Sequence, residues 1–122
     1  MIAKKKTSVS VDAQTLAENI VKGLQEKKGN KIVMMDLRGV KGAIVDFFVI
    51  CTGTSDAHVD ALKESVEEYV FKQLGQLPWK KEGLQHKEWI LLDYVDVVVH
   101  IFQQHRRDFY GIEELWGDAR FV

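Results

Sequence analysis

The segment 88–102 constrains the fold more than any other part of the chain, because it carries two runs of strand-forming residues about a polar centre. Ile, Leu, Val and aromatic side chains dominate both runs, and these residue types are enriched in β-strands. Two such runs separated by a short break are typical of a β-hairpin. A loop of Tyr94 and Val95 would set how the two strands pair.

The two sides of this predicted hairpin differ, because successive side chains of a strand point to opposite faces. One side is apolar throughout, and burying each of its side chains contributes about 1.5–3 kcal/mol. Its members are Ile90, Leu92, Val97, Val99 and Ile101. The other side is mixed, and its predicted pairs are Trp89 with His100, Leu91 with Val98, and Asp93 with Asp96. A mixed face of this kind is typical of a surface that contacts a partner.

The flanking sequence predicts helices and further strands. An apolar stripe at helical spacing predicts a first helix from about residue 13, capped by Ser10 or Asp12 and stopped at Gly29-Asn30. Continuous apolar runs predict strands at 31–37 and 44–51, each covered on both faces. A second helix should run from Ser55, its N-cap, to Gly75. An irregular stretch follows through Trp79, and one or two short helices are predicted within 106–116.

This order of elements predicts one mixed β-sheet with helices packed on it, an α/β (α+β) domain. We expect that domain to span residues 12–122, after a flexible arm at 1–11. Among the three tryptophans, Trp116 is predicted to lie in the core and Trp89 to face a partner.

The charge, the cysteine content and the lengths of the apolar segments limit the functions that the chain can have. The 17 basic and 18 acidic residues give a net charge of −1, whereas a domain that grips phosphates usually has a basic excess. Cys51 is the only cysteine and lies in an apolar run, so it has no internal disulfide partner. No segment has the apolar length of a signal peptide or a membrane span. We therefore predict a cytoplasmic protein that does not bind nucleic acid directly.

Three patterns could carry chemistry. Gly53-Thr54-Ser55-Asp56 joins a strand to a helix, but a carboxylate in the first helical turn repels anions, so a capped turn is favoured over a phosphate site. Asp36, Asp46, Asp93 and Asp96 could bind magnesium, yet the Gly-Ser and Asp-x-Asp pattern of nucleotidyltransferases is missing. The four histidines show no metal-ligand spacing. We predict no catalytic residue, metal or cofactor. Asp93 and Asp96 are read equally well as an exposed hairpin end or as contacts for a basic partner.

Several blocks together resemble the Iojap or ribosomal silencing factor family. They are Asp46-Phe-Phe-Val-Ile-Cys-Thr-Gly-Thr-Ser55 with His58, Glu82-Gly83, Trp89-Ile-Leu-Leu-Asp93, Asp96-Val-Val-Val-His100-Ile-Phe102 and Arg107-x-Phe-Tyr-x-Ile-Glu-Glu-Leu-Trp116. The resemblance covers residues 12–117. It implies a nucleotidyltransferase-like outline without the catalytic motif. One departure is Val95, where family members often have Gly; a wider loop than Tyr94-Val95 would change the pairing of Asp93 with Asp96.

The resemblance also implies a function. It implies binding to the fourteenth protein of the large ribosomal subunit, which blocks joining of the small subunit and represses translation in nutrient limitation, with a homodimer when the protein is free. The partner-facing residues it implies are Trp89, Leu91, Asp93, Asp96, Val98, His100 and Phe102. The alternatives are a large-subunit assembly factor, a magnesium-dependent nucleotidyltransferase that retains residual activity, and a general RNA-binding protein.

Overall fold

The computed structural model describes residues 11–111, 113 and 119–121. Its elements, in chain order, are α1 (Ala13–Glu26), β1 (Asn30–Asp36), β2 (Phe47–Gly53), α2 (Asp56–Leu74), β3 (Lys80–Glu82), β4 (Trp89–Asp93), β5 (Val97–Gln103), α3 (Gln104–Tyr110) and β6 (Arg120–Phe121). The strands form one sheet in the order β3-β4-β5-β2-β1-β6. β2 and β5 are parallel and the other neighbours are antiparallel. The predicted mixed sheet with helices is confirmed.

The helix boundaries follow from their caps. Asp12 begins α1, where its carboxylate accepts a hydrogen bond from the Thr15 N–H at 2.8 Å. Ser55 begins α2 in the same way, accepting from the His58 N–H at 3.0 Å. Gly75 ends α2 in the left-handed conformation, with φ of 69°. The predicted Ser55 and Gly75 boundaries are therefore confirmed, and Asp12 rather than Ser10 is the cap of α1.

The end of α1 differs from the prediction. The helix stops at Glu26, and the left-handed residue after it is Lys28, with φ of 58°, rather than Gly29. Gly29 is instead required by close packing, because a Cβ at this position would lie 2.4 Å from the Cys51 sulfur. The glycine was correctly read as important at this junction, but for the wrong physical reason.

The two faces of the sheet bury different cores. α1 and α2 pack on the face that carries Ile90, Leu92, Val97, Val99 and Ile101, as predicted for the apolar side of the hairpin. We call the opposite side the front face. It holds a second, smaller cluster that joins the sheet to the loop after β1 and to Ala119, and this cluster contains Met35, Leu37, Ile50, Phe102 and Ala119.

The hairpin exists, but its predicted register is wrong by two residues. Leu91 pairs with His100 and Asp93 with Val98, so the predicted facing pair of Asp93 with Asp96 does not form. The turn is three residues long, and the Asp96 N–H donates to the Tyr94 carbonyl across Val95, whose φ is 78°. A shift of two residues leaves every side chain on its predicted face, because the side-chain period of a strand is two.

Two short strands were not predicted. β3 lies in the stretch expected to be irregular, and β6 lies near the C-terminus. β2 begins at Phe47, later than the predicted residue 44, because Asp46 belongs to a turn and its N–H donates to the Asp96 carbonyl. α3 accounts for part of the predicted helical tail. Residues 1–10 of the predicted arm and the predicted core residue Trp116 lie outside the described residues.

Candidate partner-binding face

The predicted partner-binding residues fall into an accessible group and a buried group. Trp89, Leu91 and Asp93 on β4 are half-buried, and Asp96 in the turn is exposed. On β5 the exposed fractions are 7% for Val98, 4% for His100 and 1% for Phe102. The alternation of side chains brings six of the seven to the front face, as predicted. Only the β4 residues and Asp96 offer surface to a partner in this conformation.

The buried group holds the indole of Trp89 in one orientation. Trp89 Nε1 donates a hydrogen bond to His100 Nδ1 at 3.0 Å. The indole also stacks on Phe102, with ring centroids 5.1 Å apart and an interplanar angle of 25°. Phe48 on β2 supports His100 from the other side in an edge-on contact at 4.6 Å. Trp89 is thus a half-exposed aromatic side chain with little freedom to rotate.

His100 is a neutral, buried histidine. Burial lowers the pKa of its imidazole to about 4, because no charge is available to compensate for lost solvation. Since Nδ1 accepts from Trp89, the ring proton is assigned to Nε2. Nε2 is buried and makes no hydrogen bond to any described residue. His100 therefore orients its neighbour rather than acting as an acid or base.

The two aspartates of the hairpin have separate roles. Asp93 Oδ1 accepts a hydrogen bond from the Val95 N–H at 2.7 Å and so stabilises the turn. The pKa of Asp96 is raised, first by partial burial and then by the nearby charge of Asp46. The neighbouring carboxylate that acts on Asp96 is thus Asp46 rather than the predicted facing residue Asp93. The hairpin end carries negative charge in either arrangement.

Trp79 is a candidate that the sequence did not single out. The exposed fraction of Trp79 is 74%. Its backbone N–H donates to the Asp93 carbonyl at 2.7 Å, which places Trp79 beside the hairpin turn. The next residue, Lys80, pairs with Asp93 across β3 and β4. All three residues of β3 are exposed, so no alternation of apolar and polar side chains could mark this strand.

The aspartates that a nucleotidyltransferase would need are not grouped around a metal site. Asp36 is buried and bound by Arg38 at 3.0 and 2.8 Å and by Arg120. The hydrogen bond from Arg38 holds the pKa of the Asp36 carboxyl well below its usual range. Within the described residues, no three His, Cys, Asp or Glu side chains are placed to hold a metal ion. The described part of the chain also has no helix long and apolar enough to cross a membrane.

Fold and face together define a small α+β protein, built on one mixed sheet, with an aromatic and acidic hairpin face. The description of the protein family that matches residues 10–122 is "Ribosomal silencing factor during starvation". The chain is 35% identical over 109 residues to the ribosomal silencing factor RsfS of Halalkalibacterium halodurans, covering 89% of this chain and 92% of that protein. It belongs to the ribosomal silencing factor family.

Two further similarities extend this result. A crystal structure of a Chromobacterium violaceum protein superposes with a TM-score of 0.81 at 33% identity, covering 88% of each chain. A mouse protein named "Mitochondrial assembly of ribosomal large subunit protein 1" is 33% identical over 73 residues, which are 58% of this chain and 32% of the mouse protein. The name of the Halalkalibacterium halodurans relative refers to ribosomal silencing, and the name of the mouse relative refers to assembly of the large ribosomal subunit.

Proposed function

We propose that this chain binds the large ribosomal subunit through the fourteenth protein of that subunit and sterically prevents the small subunit from joining. The factor would repress translation in nutrient limitation by occupying a surface, with no substrate turnover. We further propose that it acts in the cytoplasm and is a homodimer when free. Family membership supports the ribosomal target, and the geometry of the hairpin supports the particular docking face.

The observation that carries the docking face is the fixed indole of Trp89. An aromatic side chain that is already held in one rotamer loses little conformational entropy on binding, and tryptophan is enriched among residues that dominate interface energy. His100 supplies the hydrogen bond that fixes the ring, at 3.0 Å. Leu91 lies next along β4 on the same face and extends the apolar contact.

The carboxylates at the other end of β4 from Trp89 suit a basic partner. Asp93 and Asp96 lie at the turn that follows β4, and ribosomal proteins are generally basic. Charges at the rim of an interface guide the approach of a partner and fix its orientation. Val98, His100 and Phe102 are buried beneath the face, so in this proposal they support Trp89 and Leu91 rather than touch the partner.

The test is sedimentation of purified protein with separated ribosomal subunits, followed by an assay of subunit joining. Migration with the large subunit alone is expected, together with a block on joining. The double variant Trp89→Ala with Asp93→Lys should lose both. Because Asp93 also accepts the Val95 N–H, Asp93→Asn serves as a second variant that removes the charge and keeps the acceptor.

Matched controls lie on the helical side of the molecule. Phe71 on α2 is 54% exposed, and Glu64 on the same helix is also exposed. Phe71→Ala and Glu64→Gln should bind the large subunit as the unaltered chain does. If the Trp89 and Asp93 variants also bind and block joining normally, the proposed face is wrong. Sedimentation equilibrium of the free protein tests the homodimer.

The mouse relative's name favours a second candidate, a factor that assists assembly of the large subunit. A comparison of mature with incomplete large subunits separates the two candidates. A silencing factor added to mature large subunits should prevent their joining to small subunits. An assembly factor should bind incomplete large subunits more tightly than mature ones and leave the joining of mature subunits unaffected.

The catalytic alternative makes a different prediction. A magnesium-dependent nucleotidyltransferase would release pyrophosphate from a nucleoside triphosphate, and that release would be lost in Asp46→Asn with Asp96→Asn. We expect no magnesium-dependent release from the unaltered chain. A signal that depended on both magnesium and these carboxylates would replace the silencing proposal with an enzymatic one.

A further inference from the structure

A cavity of about 550 Å³ lies at the end of the sheet where the parallel strands β2 and β5 finish. Its described lining includes Lys31, Thr52, Thr54, Gln104, His105 and Arg107. This is the opposite end of β5 from the hairpin turn, so the cavity is separate from the four aspartates discussed above. In open α/β sheets, ligands bind outside the carboxyl ends of parallel strands, where the connections diverge to leave a crevice.

Arg107 forms a fixed cationic wall of this cavity. It is 7% exposed, and its guanidinium donates to the Lys31 carbonyl at 2.6 Å and to Thr52 Oγ1 at 2.8 Å. Two further donations, at 3.0 and 3.1 Å, form a paired contact with the carboxylate of Glu113. These contacts use four of the five N–H groups of a guanidinium. Arg107 is thus a preorganised donor whose charge is balanced by Glu113.

Lys31 is the second positively charged side chain among the lining residues. The pairing of β1 with β2 is interrupted between Asn30 and Val33, and Lys31 within this bulge has φ of 49°. Bulges redirect a side chain out of the regular alternation, and a left-handed non-glycine residue is a strained conformation that functional sites often retain. Lys31 is exposed, lines the cavity and makes no ion pair with any described residue.

Among the described residues, two acidic groups lie at or near the cavity, Glu113 in its lining and Asp56 beside it, and both accept hydrogen bonds. Glu113 is bound to Arg107, and Asp56, in the first turn of α2, accepts a hydrogen bond from the side-chain amide of Gln103. The N–H of Thr54, which lines the cavity just before α2, is not free, since it donates to His58 Nδ1 at 3.0 Å. Within the part of the chain that the structure describes, the lining thus combines Arg107 paired with Glu113, the exposed Lys31 and several polar side chains.

We infer that this cavity binds a small phosphate-bearing molecule, with Lys31 and the remaining N–H of Arg107 as the charged donors. Its volume lies within the range of small-molecule sites, and its lining residues favour an anion with several oxygen acceptors over an apolar ligand. A small ligand is favoured over an RNA backbone because the site is recessed and the chain as a whole carries a net charge of −1.

The test uses inorganic phosphate and ribose 5-phosphate as probes, in the absence of magnesium and at constant ionic strength. The backbone amide signals of Thr54 and Gln104 should shift saturably in two-dimensional NMR spectra. Lys31→Gln keeps the length of the side chain and removes its charge, and should weaken binding about tenfold, the usual loss for one charge-assisted hydrogen bond. Lys22→Gln, an exposed lysine of α1 away from the cavity, should bind as the unaltered chain does.

Three outcomes would overturn the inference. They are the absence of a saturable shift with either probe, equal binding by Lys31→Gln and the unaltered chain, and shifts that occur only with an RNA oligonucleotide. The amide spectrum of Lys31→Gln itself reports whether the variant is folded. Because no ribosome is present, failure here leaves the proposed silencing function intact, and failure of subunit binding leaves the cavity intact.

Discussion

At the scale of single residues, Val95 is the most strained position of the hairpin. Its φ of 78° is a conformation that β-branched side chains rarely adopt, and such backbone strain costs about 1–3 kcal/mol. Asn tolerates positive φ better than Val does. Val95→Asn should therefore raise the free energy of unfolding by about 1 kcal/mol.

Urea denaturation measures this change, and Ile44→Asn is the matched control. Ile44 is also β-branched and is 96% exposed, but its φ is not positive. Its substitution should leave stability nearly unchanged. If Val95→Asn is no more stable than the unaltered chain, backbone strain is not the dominant energetic feature of this turn.

The buried imidazole of His100 predicts how stability depends on pH. Its pKa falls from 6.5 in the unfolded chain to about 4 in the folded protein. The contribution of neutral His100 to the free energy of unfolding is fully present above pH 6.5. It is lost as the pH falls from 6.5 to 4, because in this range the unfolded chain binds a proton at His100 and the folded chain does not. By this linkage the loss amounts to about 3 kcal/mol.

Unfolding measured across this pH window tests the prediction. His100→Gln should flatten the fall in stability, since glutamine has no titrating group and can still accept the Trp89 N–H. His86→Gln changes an exposed histidine and should keep the fall. An unchanged pH profile in His100→Gln would show that another group controls acid stability.

At the scale of elements, the helices and strands with a long, regular apolar pattern were predicted correctly. α1, α2 and the hairpin strands follow from apolar periodicity and from caps such as Ser55 and Gly75. β3 could not be found, because a strand of three exposed residues has no periodic signal. The predicted register of the hairpin was wrong because the register depends on the turn. In that turn Val95 has a positive φ, which the preferences of a β-branched residue do not predict.

The candidate face was predicted less completely than the fold. Alternation correctly grouped Trp89, Leu91 and Asp93 on one side. It could not indicate that His100 and Phe102 are buried, since the loop after β1 and Ala119, which pack on the front face, are distant in sequence. Trp79 was missed because it precedes a strand of three exposed residues that has no periodic signal.

The loop between α1 and β1 packs closely on Cys51 of β2 because Gly29 has no side chain. A Cβ there would lie 2.4 Å from Cys51 Sγ and 3.2 Å from a methyl group of Leu62. Gly29→Ala should lower the free energy of unfolding by about 1–3 kcal/mol, the usual cost of overpacking. Cys51→Ala removes the nearest atom, so the double variant should lose less stability than the sum of the single variants. Simple additivity in this double-mutant cycle would rule out the predicted clash.

At the scale of the whole molecule, two parts of one sheet serve different purposes in our proposals. The front face of the hairpin presents Trp89 and Leu91, with two carboxylates at the turn, and the cavity with its exposed lysine lies at the end of the sheet where β2 and β5 finish. β5 runs from the turn to Gln103, which lines the cavity, and Trp89 pairs with Phe102, so the Trp89 end of the docking face is the end nearer the cavity.

The net charge of −1 predicts a weak dependence of ribosome binding on salt. A protein that binds RNA phosphates through six to ten contacts loses about 10³- to 10⁵-fold in affinity between 50 and 200 mM salt, because bound counterions are released. Docking of two carboxylates on a basic protein involves few charges, so we expect a loss of about tenfold or less over the same range. Titration of large subunits with labelled protein at increasing potassium chloride measures the slope. Asp96→Asn should make the slope shallower still, whereas Glu64→Gln on the helical side should not change it. A loss of a thousandfold would instead mean that the chain grips ribosomal RNA, and the hairpin would not be its principal contact.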